Sequence, residues 1–163
     1  MIYILSGPIR TGKTTALKNW ALERSDVDGL ISPDDEESTR YFYEIKSRLS
    51  FHFEASSPAS QPTIAIGRFH FLKAAFDRAN RYLMQSAASQ NSTFLIVDEV
   101  GKLELKGTGL HRAVVDLISP FEAASDRHLI LVIRDTLLEE AINHYQISDY
   151  QVISKDQLTE IQS

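Results

Sequence analysis

Four residues near the amino end have types and a spacing suited to binding an anion. The stretch GPIRTGKT places Gly7, Gly12, Lys13 and Thr14 on the pattern G-x-x-x-x-G-K-[ST], directly after the apolar run MIYIL. Backbone N–H groups of such a loop point at a phosphate, and the following helix directs its positive end to the same charge. The lysine then reaches the β- and γ-phosphates, and the threonine hydroxyl binds Mg²⁺. The predicted nucleotide-binding residues are Gly7, Pro8, Ile9, Arg10, Thr11, Gly12, Lys13, Thr14 and Thr15.

Two carboxylates follow the most apolar segment of the chain. In FLIVDEVGKLEL four apolar residues precede Asp98 and Glu99. Because ligands of open α/β sheets bind beyond the carboxyl ends of the strands, Asp98 is expected to hold Mg²⁺ together with Thr14. Glu99 is expected to polarise an attacking water as a general base. Lys102 and Glu104 lie just past this pair, either in a loop that responds to the γ-phosphate or on ordinary surface.

Three arginines are further candidates, and each has an alternative role. Arg134 directly follows the apolar run HLILVI, so it should emerge at the same sheet edge as Asp98. It could stabilise charge on a transferring phosphoryl group, or it could pair with Asp135 or another carboxylate. Arg10 could touch the phosphates or a base edge, or point to solvent. Arg68 could approach the nucleotide or anchor its own loop.

The elements that must position these residues alternate along the chain. Strand-like runs MIYIL, VDGLIS, STFLIVDEV, HLILVI and YQVIS are separated by helical periodicity that begins at Lys13, Phe69, Leu110 and Leu137. This order predicts an α/β, three-layer P-loop fold in which helices cover both faces of a mostly parallel sheet. Ser154 and Gln157 have capping-box spacing, which predicts a terminal helix.

One region departs from this alternation. Residues 40–67 contain TRYFYEIKS, SFHFEAS and TIAIG, whose patterns favour paired strands. We interpret them as a small β insertion carried by the main sheet. The expected organisation is one domain over residues 1–163.

Composition limits the remaining classes. The 163 residues are 43% hydrophobic and 24% charged, which is typical of one globular domain. The net charge of −5 argues against a broad nucleic-acid surface, and the lack of cysteine excludes a disulfide framework. No apolar stretch approaches the roughly 20 residues of a membrane span, and the amino end does not resemble a signal peptide. A cytoplasmic location without membrane contact is expected.

Three motifs together resemble a known family. The stretches GPIRTGKTT, IGRFHF and VDEVGKLEL match the small P-loop nucleoside-triphosphatase family of the cancer-related type. The most distinctive part is Gly101, Glu104 and Leu105, because a generic Walker B strand does not require them. The resemblance includes the order of elements and so extends over most of the chain. The family's loop usually contains more glycine than the Ile9-Arg10-Thr11 stretch found here.

This resemblance implies Mg²⁺-dependent hydrolysis of a nucleoside triphosphate to the diphosphate and phosphate. Base preference would be loose, with ATP or GTP the first expected substrates. The family's motif residues correspond to Gly12, Lys13 and Thr14 for phosphate and metal, and to Asp98 and Glu99 for metal and water. The predicted catalytic residues are Lys13, Glu99 and Arg134.

Two other functions fit the same motifs. In a small-molecule or nucleotide kinase, an acceptor would replace water, but Arg127 and Arg134 are few arginines for a lid. In a nucleotide-dependent switch, hydrolysis would be slow and a protein partner, not identified by the sequence, would bind the triphosphate form.

Overall fold

The computed structural model describes residues 1–34, 36, 38–55 and 61–161. The strands are β1 (Ile2–Gly7), β2 (Val27–Ile31), β3 (Tyr41–Glu44), β4 (Ser50–His52), β5 (Thr63–Ile66), β6 (Phe69–Leu72), β7 (Phe94–Val100), β8 (His128–Arg134) and β9 (Tyr150–Ile153). The helices are α1 (Lys13–Leu22), α2 (Lys73–Ser89), α3 (Lys102–Leu105), α4 (His111–Ala123) and α5 (Leu138–Tyr145), with 3₁₀ segments at Asp135–Leu137 and Lys155–Glu160. None of the helices in these described residues is long and apolar enough to cross a membrane.

The main sheet has the strand order β4-β3-β2-β7-β8-β1-β9. Strands β2, β7, β8, β1 and β9 are parallel, whereas β3 and β4 extend the sheet as antiparallel strands. Strand β7 is apolar along most of its length because both faces of the central sheet are covered, as is usual for parallel sheets. The predicted α/β class with a mostly parallel sheet is confirmed.

Two apolar clusters hold the three layers together. On one face, residues of α2, α4 and α5 such as Leu83, Leu117 and Ala141 pack on alternate residues of the strands. On the other face, Leu17 and Trp20 of α1 pack with Leu158 of the last 3₁₀ segment. Alternating residues of the inner parallel strands β1, β2, β7 and β8 therefore enter opposite clusters.

The region before α2 differs from the prediction in two respects. The strand β5 was expected in an insertion carried by the main sheet, but it lies in a separate two-stranded sheet. Helical periodicity was expected from Phe69, but Phe69–Leu72 forms β6, which pairs with β5 as a separate antiparallel hairpin. Phe71 is buried there against the rings of Phe53 and Phe76, and this aromatic packing favours the extended conformation. The helix begins at Lys73. Residues 56–60 of the expected insertion lie outside the described part of the chain.

The order of the central strands determines the geometry of the candidate site. Strand β8 lies between β1 and β7, with Arg134 in register with Gly7. The ends of β1, β8 and β7 therefore carry the phosphate-loop start, Arg134 and Asp98 next to one another. We call this side of the sheet the carboxyl edge, and the opposite side, around Asp26, residues 90–93 and residues 126–127, the amino edge.

Candidate functional site

The phosphate loop (residues 7–14) connects β1 to α1. Gly12 adopts the left-handed conformation, with φ of 80° and ψ of 20°, and its carbonyl oxygen accepts the Ala16 N–H at 2.9 Å. A side chain at Gly12 would be strained, which explains glycine immediately before the helix. Most of the loop is exposed, including Pro8, Ile9, Arg10, Thr11 and Gly12. The amino end of α1 is thus open to a solvent-borne anion.

Lys13 is buried, with 9% of its surface exposed, although it begins an exposed loop-to-helix junction. Its Nζ atom donates to the carbonyl oxygens of Gly7 at 2.9 Å and Pro8 at 2.5 Å. The Thr11 hydroxyl also donates to the Pro8 carbonyl, at 2.9 Å. The lysine side chain therefore lies across its own loop, where a bound phosphate would meet it.

Asp98 is completely buried at the end of β7. Its Oδ2 atom accepts the Ser32 N–H at 3.2 Å, whereas its buried Oδ1 atom has no hydrogen-bond partner in the described residues. Burial raises the pKa of Asp98 to about 7, and the neighbouring Glu99 acts in the same direction. The same pKa is lowered by hydrogen bonds from Ser32 and Thr14 and by the charge of Lys13. Because Thr14 and Lys13 belong to the phosphate loop, Asp98 lies beside that loop.

These oxygen atoms are suited to a magnesium ion. Mg²⁺ in phosphate sites takes one or two carboxylates, a hydroxyl, water and substrate oxygens. Asp98 Oδ1 is a buried acceptor without a donor, and Thr14 lies close enough to affect the carboxyl pKa. Among the described residues, no group of three or more His, Cys, Asp or Glu side chains could hold a metal ion. Asp98 and Thr14 are the described groups that could hold such an ion, with water or a bound phosphate supplying the other ligands.

Glu99 and Arg134 form an ion pair. Arg134 Nε lies 2.9 Å from Glu99 Oε1, and about a third of each side chain is exposed. Because β8 lies between β1 and β7, this pair lies at the same carboxyl edge of the sheet as the phosphate loop and Asp98. The carboxylate partner of Arg134 is therefore Glu99 rather than Asp135.

The remaining sequence candidates occupy different surroundings. Arg10 is exposed with a positive φ of 57°, and the Arg68 guanidinium lies 5.1 Å from the Phe69 ring centre, where it contacts its own hairpin. Lys102 is exposed, whereas Glu104 is buried, so Glu104 does not belong to ordinary loop surface. Thr15 is exposed on the first turn of α1.

Sequence reasoning missed two contacts to the site. Lys155 Nζ donates to the Thr11 carbonyl at 2.9 Å, and the Ser32 N–H bonds to Asp98. Both groups come from distant segments, and neither belongs to a local motif. For this segment the sequence predicted only the capping box of Ser154 and Gln157. The Ser154 N–H does bond to Gln157 Oε1 at 2.9 Å. Such contacts follow from the sheet order rather than from local spacing.

A lysine-bearing loop after one parallel strand and a buried aspartate at the end of another define a P-loop nucleotide-binding protein. A family model described as NTPase matches residues 2–160, so the chain belongs to this NTPase family. The fold is similar to that of THEP1 from the hyperthermophile Aquifex aeolicus, with a TM-score of 0.73, 15% sequence identity, and coverage of 99% of this chain and 97% of that chain. A comparison with curated proteins finds no match. The expected membership of a small P-loop NTPase family is confirmed.

Proposed function

We propose that this chain is a Mg²⁺-dependent nucleoside-triphosphatase that forms a nucleoside diphosphate and phosphate and accepts several bases. The observation that carries the proposal is that Lys13 and Thr14 lie close enough to the buried carboxyl group of Asp98 to lower its pKa. A basic loop on one strand end and an acidic metal ligand on another are the two halves of a phosphoryl-transfer site.

The phosphate loop would bind and neutralise the triphosphate. Lys13 would exchange its bonds to the Gly7 and Pro8 carbonyls for bonds to the β- and γ-phosphates. Thr14 and Asp98 would hold the metal, which supplies charge neutralisation at the β- and γ-phosphates when bound. Because these contacts address phosphates rather than a base, they support broad base preference.

Glu99 would act on the attacking water, and Arg134 would act on the negative charge that develops on the phosphoryl group. Glu99 accepts a proton from water as the water oxygen attacks the γ-phosphorus and the nucleoside diphosphate leaves. Arg134 holds Glu99 Oε1 at 2.9 Å and presents a cation between the two strand ends that carry phosphate and metal. Both roles rest on proximity within one edge of the sheet.

The test is Glu99→Gln, assayed for phosphate release from ATP, GTP, CTP and UTP with and without Mg²⁺. Glutamine preserves the size of the side chain but cannot take the proton, so we expect a decrease in turnover of about 10²-fold or more. Nucleotide affinity, measured by calorimetry, should change little. Glu139→Gln, an exposed carboxylate on α5, is the matched control and should retain full turnover.

Each other result has a definite meaning. Unchanged phosphate release in Glu99→Gln would exclude Glu99 as the base. Transfer of phosphate to an added acceptor would show that the protein is a kinase rather than a hydrolase. Very slow turnover with a partner that binds only the triphosphate form would indicate a switch. We further propose that residues 1–163 form one P-loop domain and that the protein works in the cytoplasm.

A further inference from the structure

The segment at 101–110 links the end of β7 to the start of α4, and one buried side chain closes it. Glu104 is 3% exposed. Its Oε2 atom accepts the N–H of Gly101 at 2.8 Å, and its Oε1 atom accepts the N–H of Leu110 at 2.8 Å. A single carboxylate therefore binds the first and the last residue of the segment.

Gly109 packs closely against the Glu104 side chain. Gly109 has a φ of +64°, and a Cβ at this position would overlap Glu104 Oε1. Asn80 of α2 holds the same turn from outside, because its Nδ2 donates to the Gly109 carbonyl at 2.8 Å and its Oδ1 accepts the Ala113 N–H at 2.9 Å. The segment is thus closed from within by Glu104 and fastened to α2 by Asn80.

A third contact connects the segment to α5. The Nδ1 atom of His111 lies 3.0 Å from the Glu104 carbonyl oxygen and 3.0 Å from the Tyr145 hydroxyl. Burial and the charge of Glu104 raise the pKa of Tyr145, so its hydroxyl keeps its proton at neutral pH. Helices on one face of the sheet therefore hold the segment in one position.

The segment is in contact with the proposed general base. A Cβ built on Gly101 would lie 3.4 Å from Glu99 Oε1 and 3.8 Å from Glu104 Oε2. Gly101 therefore lies close to both carboxylates, and Arg134 binds Glu99 through the same Oε1 atom at 2.9 Å. A shift of Gly101 would change the space next to the Glu99 carboxylate.

We propose that Glu104 is a positioning residue for Glu99, because it fixes Gly101, which lies beside the Glu99 carboxylate that Arg134 binds. This inference rests on the proposed hydrolase function and adds a residue that does not touch the nucleotide. Glutamine cannot replace these contacts, because two N–H donors bind the two oxygens of Glu104 and the amide of glutamine has one acceptor oxygen.

The test measures kcat, KM and nucleotide affinity for Glu104→Gln and Glu104→Ala in the full chain with ATP and Mg²⁺. If Glu99 is displaced by up to about 1 Å, the catalytic rate should fall, whereas nucleotide binding by the phosphate loop should not change. We therefore expect kcat to fall by about 10²-fold, with KM and affinity within about threefold of the wild type.

A second substitution approaches the same contact without altering Glu104. Gly109→Ala would push its methyl group against Glu104 Oε1, so it should reduce kcat in the same manner. The matched control is Glu122→Ala, which removes another carboxylate that accepts backbone N–H groups, from Ser148 at 2.7 Å and Asp149 at 3.1 Å, away from the site. It should change stability but not kcat per folded molecule.

The outcomes separate this inference from the proposed function. If the wild type turns over and the Glu104 variants keep its kcat, the inference alone is wrong. If kcat falls only in proportion to the folded fraction, or together with nucleotide affinity, Glu104 has a structural role and the inference is again wrong. If the wild type releases no phosphate from any triphosphate, the proposed function fails first.

Discussion

The two edges of the parallel sheet hold their charged residues differently. At the carboxyl edge, Asp98 and Glu104 are buried and accept hydrogen bonds from backbone N–H groups, and burial raises the pKa of each to about 7. At the amino edge, Asp26 is bound by Arg24 at 2.6 Å, which lowers the pKa of Asp26. At the carboxyl edge the Oδ1 atom of Asp98 has no donor among the described residues, whereas at the amino edge the Asp26 carboxylate is neutralised by Arg24.

A binding site is expected in a large cleft, but a large cleft of this protein lies at the amino edge, away from the candidate site. This cleft has a volume of about 350 Å³ and is lined by Asp26, Gln90, Asn91, Ser92, Thr93, Asp126 and Arg127. Arg127 there donates to the carbonyl oxygens of Ser92 and Ala87, so its charge serves the fold. The comparison indicates that a buried carboxyl oxygen without a donor, next to an exposed loop, locates the candidate site better than volume does.

The largest expected effect comes from removing the cation of the phosphate loop. Lys13→Ala should lower the rate of phosphate release by about 10²–10³-fold, because it deletes a fixed donor from the site of developing charge. Arg127→Ala is the matched control, since Arg127 also donates to two backbone carbonyls but at the amino edge. The control should lose stability, measured by urea unfolding, and keep its turnover. Equal losses of turnover in both variants would break the comparison.

The parts of this site that sequence could predict are those encoded locally. Gly12, Lys13 and Thr14 lie within one turn, and Asp98 ends an apolar run, so local spacing is sufficient to propose them as candidates. The β6 strand was mistaken for the start of a helix, because an apolar run at Phe69 fits both periods until its packing on Phe53 is known. The burial of Glu104 and the reach of Lys155 depend on tertiary packing, which no local pattern contains.

The second prediction concerns pH and uses the opposite pKa directions at the two edges. Glu104 has an ordinary pKa of 4.5 that burial raises to about 7 in the folded chain, so the folded state binds more protons between these values. Its contribution to stability is present below pH 4.5 and is lost as pH rises through 7. At 1.36 kcal/mol per pKa unit, the free energy of unfolding should fall by about 2–3 kcal/mol between pH 5 and 8.

Glu104→Gln should remove this part of the slope, measured by urea unfolding at several pH values. Asp98 titrates in the same direction, so the relevant quantity is the difference between wild type and variant. Asp26→Asn is the control with the opposite sign, because its lowered pKa gives stability that is present above pH 4 and lost only as pH falls further. A wild-type slope that persists in Glu104→Gln would show that Glu104 does not titrate in this range.

The smallest expected effect comes from the lysine that joins the chain's last 3₁₀ segment to the phosphate loop. Lys155 is exposed and makes a single hydrogen bond, to the Thr11 carbonyl of the phosphate loop at 2.9 Å. Such a bond contributes about 0.5–1.5 kcal/mol. Because this bond holds the phosphate loop, Lys155→Ala should weaken nucleotide binding by about threefold. Lys46→Ala is the matched control, because Lys46 is also exposed and donates to one backbone carbonyl, that of Asn91 at the amino edge. Calorimetric titration with Mg²⁺ and ATP compares the two. A larger loss in Lys46→Ala than in Lys155→Ala would place a nucleotide contact at the amino edge and reverse the distinction between the edges.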